Sequence, residues 1–268
     1  MPAGAAGDRL DDYLALAEEL AEASAPIIRK WFRSGAKVED KADASPVTQA
    51  DREAEAAMRA IIAASFPEHG IIGEEHGTEG AEADYVWVLD PIDGTKRFVA
   101  GQPWFGTLIA LTHLGRPILG VIDIPLLAQR WVGAEGRPSL LRGEGGTFEV
   151  RTRSCASLEA AILSSTSPDM FAGAAAAAFD RLRGAVKYAL YGGDCFSYGT
   201  LASGRLDLVV EAAMGVYDFM ALVPVVEGAG GRITDWQGRP LTLASGDQVL
   251  AAGDPGLHAA AMARLAAD

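Results

Sequence analysis

"VLDPIDGTKRF", residues 88–98, is the stretch on which the reading of this chain turns. The apolar run Tyr85-Val86-Trp87-Val88-Leu89 stops at Asp90; Pro91 and Ile92 follow, then Asp93, Gly94 and Thr95. A short apolar run bounded by turn residues predicts a strand buried on at least one face. On a regular strand side chains alternate, so carboxylates three residues apart face opposite ways. A turn stiffened by Pro91 would instead let Asp90 and Asp93 converge on adjacent cations, since hard cations such as Mg²⁺ take oxygen ligands. Gly94 lets the backbone approach a phosphate closely. Thr95 adds an amide and a hydroxyl at the start of a helix, where anions are favoured. Asp-Pro-x-Asp-Gly is also ordinary turn chemistry, so the motif alone leaves both readings open.

Upstream, residues 9–33 carry Leu10, Leu14, Ala17, Ala21, Ile28 and Trp31 at helical spacing, and the pattern resumes beyond Pro26. A polar stretch follows, and then Ala54, Met58, Ile61 and Ile62 form one face of a second helix ending near Pro67. Downstream come short apolar runs broken by glycine: GIIGEE, YVWVLD, FGTLIALTH and PILGVIDIP, all predicted strands. In the second half, 161–165 and 206–210 read as strands, and 169–183, 196–203, 218–229 and 255–267 as helices. Alternation throughout predicts a layered α/β protein. The halves would be 1–150 and 151–268, the first carrying most of the candidate ligands.

Other carboxylates fall at predicted element ends: Asp51 opens the second helix, Glu74 and Glu75 end a strand, and Asp218 starts a helix. The carboxyl edge of a sheet is where α/β proteins build sites. Each residue also has a plainer role: Asp218 as a helix cap, Asp51 as a first-turn charge, Glu74–Glu75 as a solvated pair. His69, His76, His113 and His258 are scattered without ligand spacing and read as surface or loop residues.

Composition narrows the class. The chain has 268 residues, 49% of them hydrophobic, and a formal charge of −13. That charge argues against nucleic acid but not against a small phosphorylated metabolite held through cations. No apolar run is long enough to span a membrane. Cys155 and Cys195 are too few for a disulfide framework. MPAGAAGDRLDD lacks a basic start and an apolar signal core, which predicts a cytoplasmic protein.

Taken together, GEE at 73–75, DPIDGT at 90–95 and YDFMALVPVVEGAGG at 217–231 resemble the inositol-monophosphatase-like family of metal-dependent phosphatases, over a span from the first helix to about residue 253. The resemblance implies a layered α-β-α-β-α sugar-phosphatase-like fold, two or three Mg²⁺ ions, inhibition by lithium, and a homodimer. It implies that Glu74, Asp90 and the Ile92 carbonyl hold one metal, and Asp90, Asp93 and Asp218 a second. The Gly94 and Thr95 amides would cradle the phosphate, and Thr95, hydrogen-bonded to Asp51, would orient the attacking water. Lys41 falls near a family lysine in an active-site loop. Tyr217 stands where many relatives have tryptophan.

Within that family, TKRFVAGQPWFGTLIAL (95–111) and YGGDCFSYGTLASGRLDLVVE (191–211) are similar to the histidinol-phosphate phosphatases. That substrate carries an ammonium and an imidazole, for which Asp194 and Glu211, beside Gly193, are candidate partners. A broader inositol-1-phosphate phosphatase is the alternative, because relatives of that type also place a glutamate near Glu211. A non-catalytic binding protein of the same fold would lack a metal carboxylate or Thr95, and all are present. A mere acidic cation buffer leaves the glycine–threonine cradle unexplained.

Overall fold

A computed structural model describes residues 5–34, 38–40 and 46–267. Lys41, the candidate loop lysine, lies outside the described residues. Helix α1 (Ala5–Ser34) runs through Pro26, which sits on its exposed side. A short pair, β1 (Val38–Asp40) and β2 (Pro46–Thr48), leads into α2 (Gln49–Ser65).

Eight strands then build one sheet: β3 (Gly70–Gly73), β4 (Gly77–Glu79), β5 (Tyr85–Asp93), β6 (Gly106–His113), β7 (Arg116–Ile124), β8 (Gln129–Ala134), β9 (Leu140–Gly143) and β10 (Gly146–Glu149), with α3 (Thr95–Val99) between β5 and β6. Their order is β10-β9-β8-β7-β6-β5-β3-β4, and only β3 and β5 pair in parallel.

The second sheet has five strands: β11 (Ile162–Ser165), β12 (Tyr188–Tyr191), β13 (Leu208–Glu211), β14 (Arg232–Thr234) and β15 (Val249–Ala252), in the order β12-β11-β13-β15-β14. Helices α4 (Ala174–Arg183), α5 (Asp194–Ala202), α6 (Val216–Phe219), α7 (Leu222–Gly228) and α8 (Pro255–Ala266) connect and cover them.

Period-two alternation stacks these elements. Trp87, Leu89, Ile109 and Leu111 face Tyr13, Leu20, Met58 and Ile62 of α1 and α2. Val88, Leu108 and Ala110 face the other way, onto a central layer holding Tyr198, Leu201, Leu222 and Val225 of α5 and α7. The second sheet lends Val209, Val249 and Ala251 to that layer and turns Leu208, Val210 and Leu250 toward Phe179, Leu257 and Leu265 of α4 and α8. The result is the helix–sheet–helix–sheet–helix stack expected.

Three helices differ from their sequence expectation. The run 218–229 is two helices, α6 and α7, separated at Met220-Ala221. Pro224 has no amide hydrogen, and its ring would meet the Met220 carbonyl if one helix continued through. The run 169–183 is a 3₁₀ turn, Pro168–Met170, followed by α4. Helix α5 begins two residues earlier than expected, at Asp194. Two histidines are interior residues and not surface ones. His69 stacks with Phe66 and Tyr85 and accepts a hydrogen bond from Trp87 Nε1 at 3.1 Å; His258, 1% exposed, sits 2.9 Å from Thr234 Oγ1.

Candidate active site

The opposite-faces conflict at Asp90 and Asp93 is resolved by a bulge inside the strand, so the expected turn at Pro91 is corrected. β5 continues to Asp93, and its register against β6 runs one-to-one as far as Asp90↔Leu108. The next pair is Asp93↔Gly106: three steps on β5 against two on β6. One extra residue reverses the alternation, so both carboxylates reach the same side. Pro91 sits in the irregularity, where its missing amide costs no ladder bond. Thr107 Oγ1 donates to the Pro91 carbonyl at 2.8 Å, and the buried Ile92 side chain packs with Phe98 and Phe105.

Asp90, Asp93 and Asp218 each offer a carboxylate oxygen, and these oxygens lie within 4.8 Å of one another. Asp218 is the third residue of α6, and it reaches back to accept the Gly215 amide at 2.6 Å. Asp93 accepts the Cys195 amide at 2.6 Å, tying β5 to the start of α5. Burial pushes Asp90 and Asp93 well above the usual carboxylate range; the charge of Glu74 adds to this at Asp90, and that of Asp194 at Asp93. Burial likewise pushes Asp218 up to about 7. The charge of buried Asp51, in the first turn of α2, also raises Asp90. Glu74 stands outside the three-residue cluster, in the turn after β3, yet close enough to raise both Asp90 and Asp218. Packing this much like charge into a buried space is costly unless cations or protons stand between the oxygens. Oxygen-only donors fit a hard divalent cation such as Mg²⁺.

Gly94 adopts φ +85, a left-handed conformation that favours glycine, and it caps the start of α3. The Thr95 hydroxyl donates to the Ile92 carbonyl at 3.1 Å. The expected bond to Asp51 is therefore not the one it makes: three residues past that carbonyl, at the head of a helix, the hydroxyl finds a local acceptor first.

Asp194 lies at the lip of this cradle, where a Cβ on Gly94 would come within 3.3 Å of its Cγ. Asp194 holds φ +44, uncommon for a residue with a side chain, and accepts Arg97 Nε at 3.1 Å. Gly193 precedes it with no room for a side chain against Ser197. Glu211, 3% exposed, accepts the Thr166 amide at 3.0 Å, the Thr166 hydroxyl at 2.6 Å and Tyr198 OH at 3.1 Å. Burial pushes Glu211 up to about 8, with the charges of Asp93 and Asp194 adding to it.

Arg97, Thr166 and Tyr198 were not among the residues picked from sequence. Arg97 carried a signal, since it lies two residues after Thr95; the other two reach the site only through tertiary packing. Among the described residues, a cavity of about 680 Å³ lined by Arg116, Arg137, Glu135 and Glu227 contains none of the candidate carboxylates.

Comparison with known proteins places this site in context. The model of the inositol monophosphatase family matches residues 9–268. The bifunctional phosphatase IMPL2 of Arabidopsis thaliana, a chloroplastic protein, is 50% identical over 98% of this chain and 78% of its own length. A histidinol-phosphatase from Mycobacterium tuberculosis is 36% identical over 85% of this chain and 88% of its own. Among solved structures, an inositol monophosphatase from Zymomonas mobilis superposes with a TM-score of 0.86 at 48% identity, covering 95% of this chain and 98% of that one. With its layered fold, its aspartate cluster and this match along nearly its whole length, the chain belongs to the inositol monophosphatase family of phosphatases.

Proposed function

We propose that this phosphatase hydrolyses histidinol phosphate to histidinol and inorganic phosphate, in histidine biosynthesis. The observation that carries this reading is the acidic wall beside the phosphate cradle. Asp194 and Glu211, both from the chain's second half, are buried there, Asp194 against Gly94 and Glu211 close enough to Asp93 and Asp194 to be raised by their charge. A substrate with an ammonium and an imidazole brings charge that relieves that wall, whereas a neutral polyol does not. Histidinol-phosphatases at 35% and 36% identity support it.

Asp90, Asp93 and Asp218, with Glu74 and the Ile92 carbonyl, are the groups that would hold two or three Mg²⁺ ions. When bound, Mg²⁺ supplies positive charge to the phosphoryl oxygens and acidifies water. The chain's own part is orientation. Gly94 and Thr95 present backbone amides to the phosphate. Thr95, Asp51 and Glu74 orient the attacking water and take up its proton, and Glu211 and Asp194 set the pose of the leaving alcohol. Lithium is expected to inhibit. A homodimer and a cytoplasmic location belong to the same reading; among the described residues no helix is long and apolar enough to cross a membrane.

A second reading, a broader inositol-1-phosphate phosphatase, has two observations in its favour. The Zymomonas mobilis structure, 48% identical, is of an inositol monophosphatase, and Arg97 already occupies Asp194. Phosphate release from each substrate with Mg²⁺ separates the two. A kcat/KM at least about tenfold higher for histidinol phosphate, equivalent to about 1.4 kcal/mol, is expected. A preference for inositol-1-phosphate would overturn the assignment.

A further inference from the structure

Glu55 lies one helical turn after Asp51 on α2, with its side chain at 0% exposure. On an amphipathic helix a fully buried carboxylate needs partners; here they are one arginine of the same helix and two main-chain amides of the turn that carries Glu74. Oε2 accepts the Glu75 amide at 2.8 Å, and Oε1 accepts the His76 amide at 3.1 Å together with Arg59 Nε at 2.7 Å. Arg59, one turn further along α2, donates its other arm to the Gly77 carbonyl. His76 Nε2 sits 3.0 Å from the Arg52 carbonyl. On the other side of Glu74, a Cβ on Gly73 would fall 1.9 Å from Glu55 Oε1, so only glycine lets the strand end lie against the carboxylate. The Glu74 amide donates to the Leu89 carbonyl at 3.2 Å, one residue before Asp90.

We propose that Glu55 is the positioning residue of the metal centre: with Arg59 it holds the backbone of residues 75–77 just after Glu74, packs against Gly73 just before it, and so fixes that carboxylate relative to Asp90 and Asp218. One face of α2 thereby carries Asp51 toward Asp90 and, at i+4, the clamp for Glu74. The spacing between two parts of the site is set by a single helix turn. Charge-assisted bonds from a buried carboxylate to main-chain amides are among the stronger ones available to a protein. Outer partners of this kind are worth about 10- to 100-fold in metal affinity. The inference rests on Glu74 acting as a metal ligand and is independent of which phosphate ester is hydrolysed.

The test is calorimetric titration of Mg²⁺ into the full-length wild type, Glu55→Gln and Arg59→Met, with the Mg²⁺ dependence of phosphate release followed in parallel. Glu55→Gln keeps the shape but sets an NH₂ against a main-chain NH. It is expected to weaken Mg²⁺ binding at least about tenfold and to raise the half-saturating Mg²⁺ concentration by the same factor, with kcat at saturating Mg²⁺ falling less. Arg59→Met leaves the bonds from Glu55 to the two amides and is expected to cost about threefold, below the range for a direct outer partner. A lower Tm with Mg²⁺ affinity unchanged in either folded variant would overturn the inference, since that is the signature of a merely structural contact. If Glu55→Gln fails to fold, Arg59→Met decides alone, on the same criterion. A wild type that binds no Mg²⁺ would instead remove the metal reading of the site, and this inference with it.

Discussion

Asp194 shows how a single residue can be legible in type and not in state. The sequence places a carboxylate beside Cys195 in a stretch similar to histidinol-phosphate phosphatases. It does not show that Arg97, 97 residues earlier, is bonded to that carboxylate. On the proposed function, a substrate ammonium would share Asp194 with the guanidinium or displace it. Asp194→Asn is expected to lower kcat/KM for histidinol phosphate by about 10- to 100-fold, the worth of one charge-assisted hydrogen bond, and to change inositol-1-phosphate turnover far less. Equal losses on both substrates would assign Asp194 to the fold of α5 and not to amine recognition. Asp90, Asp93 and Asp218 were readable because carboxylates at element ends are unusual in combination. Glu55 was not, because an acidic residue on an amphipathic helix reads as part of its wet face, and its partners lie 20 and 21 residues away.

At the scale of the element, the decisive feature is the bulge in β5. The alternation argument correctly finds that Asp90 and Asp93 cannot share a face on a regular strand, but it cannot say which irregularity removes the conflict. A turn and a bulge both satisfy it. The outcome depends on β6, where Thr107 holds the Pro91 carbonyl, and on Phe98 and Phe105, which bury Ile92. Thr107→Val removes that hydroxyl while keeping its shape and leaves the Pro91 carbonyl without the bond. A loss of about 1–3 kcal/mol is expected, which in a chain of this size lowers Tm by several degrees. Thermal unfolding measures it, and an unchanged Tm would show that the bulge is held by packing alone. Similarly, the split between α6 and α7 follows from Pro224, a local signal that was present in the sequence but masked by the continuous apolar run around it.

Across the whole molecule, helical spacing in α1 and α2 and the apolar runs of β5 and β6 made those elements legible as parts of a layered α/β protein, while the order of the layers came from the family resemblance. Strands β1, β2, β4, β8, β9, β10, β12, β14 and β15, each 3–6 residues long, were not picked out. The interior histidines and the acidic site give opposite pH dependences. His258 is held down to about 4 by burial, so the unfolded chain gains a proton below about pH 6.5 that the folded chain refuses. Stability is therefore present above that pH and falls on acidification, by about 2 kcal/mol between pH 7 and 5 from this residue alone; His258→Gln would flatten that arm of a Tm–pH curve. The cluster works the other way without metal. Asp218, raised to about 7, and Glu211, raised to about 8, bind protons in the folded state that the unfolded chain releases near pH 4. Metal-free stability then falls as pH rises from about 4 and levels off above 7 to 8, and the Tm gained on adding Mg²⁺ is expected to grow up to that plateau. A gain independent of pH would separate the cation site from these carboxylates. The central claim is that the bulge brings Asp90 and Asp93 together into a site that hydrolyses phosphate esters with Mg²⁺. Its most direct test is phosphate release from histidinol phosphate by wild type and Asp93→Asn, each with Mg²⁺ and with chelator. Activity that needs Mg²⁺ and falls by about 10³-fold in Asp93→Asn is predicted, the scale of losing an electrostatic stabiliser of transition-state charge, here the cation that Asp93 would hold; full activity in Asp93→Asn, or in chelator, would contradict it.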